Sequence, residues 1–348
     1  MLTATKAPRF SPLHQAAHAL WSTVRLYRAN GSPRAWGVLG RHAALRLCGR
    51  RVPAFLHIEP TRRCQCQCVH CCAPRCEANS PGELSLAELR MLLDQARALG
   101  VLQVIFTGGE PLLRDDTDEA VRHAHRAGLL TRVNTNGVLL SRERAERLRE
   151  AGLTEAAVSL DSADAATHDR LRGRTGTFDA AVQGIRNLTA AGIQARVQVC
   201  ATPDNTPDGV RALIALARQL GAHSVRILPV RAVGRWAASG RGGLAEEALA
   251  VLRSLQDVGF VGVELPTERS VCAALRRDSL SITPDGDVTM CPAVPFVMGN
   301  VRRHPLAVVW RAHGEVPLAL YRGNCPINDP VAFAALREHA QAVASRLP

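Results

Sequence analysis

From residue 54 onward the chain alternates short runs of β-branched and apolar residues with longer helical patterns, the signature of repeated βα units on a parallel sheet. The strand-like runs are Phe55 to Glu59, Leu102 to Thr107, Thr131 to Thr135, Ala156 to Leu160, Ala195 to Cys200 and Ser224 to Leu228. Helices between them carry readable ends, such as Ser85 with Glu88 as a capping box and Gly100 as a stop, or Thr177 opening a helix that closes at Gly192. Six units are too few to close an eight-stranded barrel and enough for an open one, so the predicted fold is α/β, a partial (βα)6 TIM-like barrel. In such folds the chemistry sits on the loops after the strands' C-terminal ends.

The pattern weakens after Leu228, through a Gly/Arg-rich linker over 234–243 and a helix over about 244–258, and a cysteine-containing appendage follows. Three parts are expected: a basic, helical N-terminal extension (1–53), the partial barrel (54–235), and a linker helix with a small C-terminal cysteine domain (236–348). There is no internal repeat or low-complexity segment.

Composition narrows the class. At 348 residues, with 47% hydrophobic and 21% charged residues, the chain has the profile of a globular protein with a sizeable core. No run approaches the ~18 apolar residues of a membrane span, and the start lacks the apolar core of a secretory signal, so a cytoplasmic location is expected. Eleven cysteines without an export signal then point to metal binding or catalysis rather than to disulfides, and six of them lie between Cys64 and Cys76. The net charge of +12 is uneven: residues 1–58 hold Lys6 and eight arginines but no Asp or Glu. Such an arm could meet nucleic acid, an anionic membrane or an acidic partner. A solvated helix pair is the favoured reading, because phosphate binding would normally bring a recognisable module.

The first strand leads into Cys64-Gln65-Cys66-Gln67-Cys68-Val69-His70-Cys71. Cys64, Cys68 and Cys71, separated by three and then two residues, let one short loop wrap three thiolates around a single cubane and leave its fourth iron without a protein ligand. S-adenosylmethionine can chelate that iron through its amino and carboxylate groups. Zinc is the competing reading, because Cys68 and Cys71 have zinc-like separation and Cys72 and Cys76 could complete four ligands. Cys66, Cys72 and Cys76 are surplus to the cluster, and His70 reads as a contact residue beside a cofactor.

The loop resembles the signature of the radical S-adenosylmethionine superfamily, and later strand ends resemble that family in order. Gly108-Gly109-Glu110-Pro111 is similar to the family's Gly-Gly-Glu motif, which implies that Glu110 holds the methionine ammonium while two glycines let backbone approach. Asn134-Thr135-Asn136-Gly137 resembles a turn beside the cofactor and puts Asn136 there. Ser159-Leu160-Asp161, followed by His168-Asp169-Arg170-Leu171-Arg172, resembles a segment that implies Ser159 at the ribose and Arg172 at the cofactor carboxylate, with Arg170 as the rival. The resemblance covers about residues 54–230.

Towards the C-terminus stand Cys272, a Pro284-Asp285-Gly286-Asp287 hairpin turn, Cys291 and Cys325. Their order resembles a truncated SPASM, or twitch, domain, which implies a second, auxiliary 4Fe-4S cluster on Cys272, Cys291 and Cys325, with Cys200 or a surplus cysteine available to complete it. A different reading keeps Cys325 or Cys272 as a free thiol that returns a hydrogen atom to a substrate radical; a third has all three as packed structural cysteines.

The resemblance implies an enzyme that cleaves S-adenosylmethionine to a 5′-deoxyadenosyl radical and takes hydrogen from a natural-product substrate, a sugar, an aminocyclitol or a peptide. With the auxiliary cluster the outcome is net oxidation; with a cysteine donor it is redox-neutral epimerisation. A one-electron reductant such as flavodoxin or ferredoxin is the expected partner. Ribosomal-peptide maturation and RNA modification are the alternatives in substrate.

Overall fold

A computed structural model describes residues 27–28, 30–72, 82–205, 207–257, 259–264, 273–274, 276–294, 296–316, 327 and 329–347. Strands β1 (Phe55–Ile58), β2 (Gln103–Phe106), β3 (Leu130–Thr135), β4 (Glu155–Ser159), β5 (Gln194–Ala201) and β6 (Ser224–Pro229) pair in sequence order, all parallel. These are the six runs read from the sequence, and they make the expected open, partial barrel. The sheet also goes further at both edges. β7 (Val261–Val263) joins β6 in parallel, and β8 (Ser279–Ile282) pairs in parallel with β1, Phe55 opposite Ser279. β9 (Asp287–Thr289) folds back on β8 across the Asp285-Gly286 turn, and β10 (Gly299–Asn300) finishes the edge antiparallel to β9. The chain around Cys291 is therefore built onto the barrel sheet beside β1.

Helices α1 (Pro33–Leu47), α2 (Leu86–Leu99), α3 (Thr117–Arg126), α4 (Arg142–Glu150), α5 (Ala165–Arg172), α6 (Thr177–Ala190), α7 (Pro207–Gln219), α8 (Gly234–Ala238), α9 (Glu246–Ser254), α10 (Leu306–His313) and α11 (Pro330–Ala344) complete the described elements. α2 starts on the Ser85–Glu88 capping box and stops on Gly100 in the left-handed region, as the sequence predicted. Among the described residues no helix is long and apolar enough to cross a membrane.

Each strand has two faces. Leu56, Ile58, Val104, Phe106, Val133, Ala156, Val158, Val197, Val199, Val225 and Ile227 are buried in the core with the helices. The intervening residues face inward: His57, Thr107, Asn134, Ser159, Gln198 and Arg226. At the base of this face the buried carboxylate of Glu155 collects Arg132, Arg196 at 2.7 Å and His223 at 3.0 Å. Those cations hold Glu155 well below the usual carboxylate range although burial alone would raise it. A charge with that many partners is an affordable plug, and it closes the end of the barrel opposite the site.

Helix α1, in the acid-free leader, lies across the bottom of the barrel. His42 Nδ1 lies 2.7 Å from the carbonyl of Gly100, Arg41 donates to Ala98 O at 3.0 Å and Arg34 to Arg126 O at 2.9 Å. These are carbonyls at or just past the ends of α2 and α3, which lack intrahelical partners and carry the negative pole of the helix dipole. Part of the leader's positive charge thus has an internal use.

Candidate functional site

The loop between β1 and α2 crosses the C-terminal ends of the strands, and neighbouring backbone fixes it from two sides. On one side Gly109 N donates to Thr61 O (3.0 Å) and Glu110 N to Arg63 O (2.7 Å). The chains are so close that a Cβ on Gly109 would stand 2.6 Å from Arg62 O, which explains the glycine. On the other side Gln67 N and Val69 N donate to Arg172 O and Leu171 O at the end of α5, both at 3.0 Å, and Arg235 N at the start of α8 donates to Cys71 O at 3.0 Å.

Held this way, Cys64, Cys68 and Cys71 line a single cavity of about 420 Å³ together with His70, Gly108, Gly109, Asn136, Ser159 and Arg172. Eight of the sequence-predicted residues around the loop and strand ends are thereby brought together with Cys71. The exception is Glu110. Its carboxylate is fully buried and accepts from Thr135 Oγ1 (2.8 Å), Asn136 N (2.8 Å) and Leu112 N (3.2 Å), tying the end of β2 to the end of β3. It supports the turn carrying Asn136 and does not line the cavity, whereas the expectation put it on the cofactor ammonium. Burial raises its pKa to about 7 against those three donors.

The thiols differ in environment. Hydrogen bonding from Cys66, then from Asn136, together with the charge of Arg172, draws Cys64 down to about 6 against its burial. Asn136 Nδ2 stands 3.9 Å from Cys64 Sγ. Cys68 is raised by burial and relieved by Arg172, whose Nη1 approaches Cys68 Sγ at 3.7 Å. Donors aimed at sulfur suit thiolates, which is the form in which cysteine binds metal. Cys66, a surplus cysteine in the sequence, is buried against Cys64 and has this supporting place.

Among the described residues, no three His, Cys, Asp or Glu side chains converge as they would around one ion. Thiolates on separate corners of a cubane stand farther apart than ligands of a single zinc, so the donor set of Cys64, Cys68 and Cys71 fits a cluster better than a mononuclear site. Behind the thiols lies Asp161, fully buried. It pairs with Arg172 Nε (2.8 Å), stands 3.7 Å from His70 Nε2 and accepts from Cys200 N (2.9 Å). Burial alone would raise its pKa; Arg172, then His70 and His168, bring it below the usual range. Burial drives His70 down to about 4, so it is neutral beside the cavity. Arg170, the rival to Arg172, lies outside this cavity and lines a neighbouring cleft with Arg235 and Arg241.

Thr107, Asn134 and Gln198 also line the cavity, as do Arg62 and Arg235, and sequence reasoning gave none of them a role, Asn134 having been quoted only within its turn. The first three had a signal, being polar residues at inward positions of otherwise apolar strands. Arg235 had none, because 234–243 read as linker; in the structure Gly234 begins α8 with φ +56 and lies so near the loop that a Cβ would stand 2.8 Å from Cys72 Cα. Of the C-terminal cysteines only Cys291 is described, in an isolated bridge with Val294. Cys76, Cys272 and Cys325 lie outside the described residues.

Comparison with known proteins gives one answer at each level. The family model of the Radical SAM superfamily matches residues 58–217, and that of SPASM, an iron-sulfur cluster-binding domain, matches residues 272–319. A PqqA peptide cyclase from Streptomyces rochei is 31% identical over 297 residues, 80% of each chain. An AdoMet-dependent heme synthase from Nitratidesulfovibrio vulgaris is 28% identical over 289 residues, 73% of this chain and 77% of that one. In fold, the chain is similar to the Streptococcus suis SuiB crystal structure bound to S-adenosylmethionine, with a TM-score of 0.61 at 18% identity over 85% of this chain and 70% of that one.

Proposed function

The chain belongs to the radical S-adenosylmethionine superfamily, in its SPASM branch, with a 4Fe-4S cluster, S-adenosylmethionine and auxiliary iron-sulfur as its cofactors, and on that premise we propose that Cys64, Cys68 and Cys71 hold the cluster that opens the cofactor. The observation that carries this reading is the cavity in which those three thiols face Gly108-Gly109, Asn136, Ser159 and Arg172. A cluster held there by Cys64, Cys68 and Cys71 would supply the electron for reductive cleavage of S-adenosylmethionine to methionine and a 5′-deoxyadenosyl radical. Asn136 and Arg172 steady the thiolates, Gly108 and Gly109 leave room for the methionine end, and Ser159 meets the sugar. Cys272, Cys291 and Cys325 hold the auxiliary cluster, which makes the outcome a net oxidation.

The substrate is a polar natural product. Support comes from the polar cluster beyond the cofactor residues, where Arg226 and Arg231 share Glu264 at 3.0 and 3.1 Å and His57 on β1 lies within the field of Glu264. A peptide is favoured among polar substrates by the peptide cyclase relative, and ribosomal-peptide maturation is the second reading. The cleft beside the loop, lined by Arg170, Arg235 and Arg241 with Asp204 paired to Arg241 at 2.8 Å, keeps a net positive lining that suits an acidic one-electron donor such as flavodoxin or ferredoxin.

The test is anaerobic reconstitution of the full chain with iron and sulfide, then reduction with S-adenosylmethionine present. The expected result is 5′-deoxyadenosine, and a Cys64→Ala/Cys68→Ala/Cys71→Ala variant that makes none and binds about four fewer irons per chain. Undiminished 5′-deoxyadenosine in that variant would end the assignment, and loss of all iron in it would end the auxiliary cluster.

A further inference from the structure

Asp161 lies two residues past the end of β4 and has no exposed surface. A carboxylate costs several kcal/mol to bury unless its partners are well placed, so its position at the back of the cysteine loop calls for a role. Its strongest partner is Arg172, Nε to Oδ2 at 2.8 Å, while the Nη1 of the same guanidinium points at Cys68 Sγ, 3.7 Å away. Arg172 has little freedom to do otherwise. Its own carbonyl and that of Leu171 accept from Gln67 N and Val69 N, so the end of α5 and the loop carrying Cys68 are one hydrogen-bonded unit. Cys200 N, donating to Asp161 Oδ1 at 2.9 Å, locks the carboxylate from the β5 side.

We propose that Asp161 and Arg172 form a fixed relay that sets the reduction potential of the cluster bound at Cys68, with Arg172 donating to the sulfur and Asp161 as the positioning residue that aims it. This rests on the reading of Cys68 as a cluster ligand. A cationic N–H donor on a ligating sulfur stabilises the reduced cluster, which carries one more negative charge, and so raises its potential. The role differs from gripping the cofactor carboxylate, because it operates with no cofactor bound.

The experiment is a redox titration of the reconstituted full chain without S-adenosylmethionine. It follows the electron paramagnetic resonance signal that S-adenosylmethionine, added in a parallel sample, alters. Arg172→Met should shift the midpoint to more negative values, and Arg172→Lys, which keeps the charge without the two-pronged reach, should fall between. Asp161→Asn separates a relay from simple charge. Removing a nearby negative charge should raise the potential, whereas freeing Arg172 from its aim should lower it towards the Arg172→Met value. In a relay, Asp161→Asn lowers the potential only while Arg172 is present; in the Arg172→Met background it leaves just the rise expected from the lost charge. A raised potential in Asp161→Asn, or an unchanged one in Arg172→Met, overturns the proposal. Should Asp161→Asn fail to fold, the two Arg172 variants decide. An unchanged cluster signal in Cys68→Ala would instead overturn the ligand reading, and the relay with it.

Discussion

Gly109 has backbone carbonyls where a side chain would begin: those of Arg62 and Arg63, immediately before Cys64. Backbone cannot step aside as a flexible side chain can, so Gly109→Ala has to push the cysteine loop off the end of β2 and break the bonds to Thr61 O and Arg63 O. The expected outcome is a folded chain that reconstitutes with about four fewer irons, read by iron analysis beside circular dichroism; a full iron complement would refute the close packing. The residues of this motif were legible in the sequence because each is chemically conspicuous, but their division of labour was not. Glu110 reads from its motif as the cofactor's ammonium partner, and the structure adds that its carboxylate accepts from Thr135, Asn136 and Leu112, a geometry that depends on how two adjacent strands end. Asp161 was quoted within its motif and given no task, since only folding brings Arg172 and Cys200 to it.

Among the elements, α1 shows where charge misleads. An arm with eight arginines and no acid invites a search for an external polyanion, yet Arg34, Arg41 and His42 end on carbonyls at the C-termini of α3 and α2. An Arg34→Ala/Arg41→Ala/His42→Ala variant should lose about 2 kcal/mol of stability, at roughly 0.5–1 kcal/mol per bond, in a urea titration. If the arm instead served nucleic acid alone, the variant would keep its stability and lose only salt-sensitive retention on RNA. The six barrel strands were readable because their β-branched and apolar runs recur between helical patterns. β7, β8, β9 and β10, with two to four residues each, stand outside that repeat, and their pairing is decided by the sheet edge they meet. α8 escaped for another reason: its five residues open the Gly/Arg-rich stretch 234–243 that read as linker, and what makes them a wall of the site is the fit of Gly234 against Cys71 and Cys72.

For the molecule as a whole, the inward placement of ionisable groups writes itself into the pH dependence of folding. His57, His70, His168 and His313 are each pushed down to about 4, chiefly by burial. Glu59 and Glu110 are raised to about 7 by the same cause. The two sets oppose each other. As pH falls below about 6.5 the unfolded chain takes up protons on its histidines that the fold refuses, and stability drops; over the same range the buried carboxyls are relieved of charge, and stability rises. Four histidines outweigh two carboxyls, so wild-type stability falls on balance between pH 7 and 5, and a single group is seen only against a variant. His313 is the cleanest choice: it lies far from the cysteine loop in sequence, has no exposed surface, has no hydrogen-bond partner for either ring nitrogen among the described residues, and stacks on Trp310. Burial, and then the nearby charge of Arg277, keep it neutral. Between pH 7 and 5 the unfolded-state value near 6.5 is crossed while the folded value near 4 is not, so His313 removes about 2 kcal/mol from the wild type over that interval. His313→Leu, whatever its stability at pH 7, should gain that amount on the wild type by pH 5 when urea midpoints are compared. Parallel profiles would mean that His313 titrates alike in both states, and that the core beneath α10 admits water.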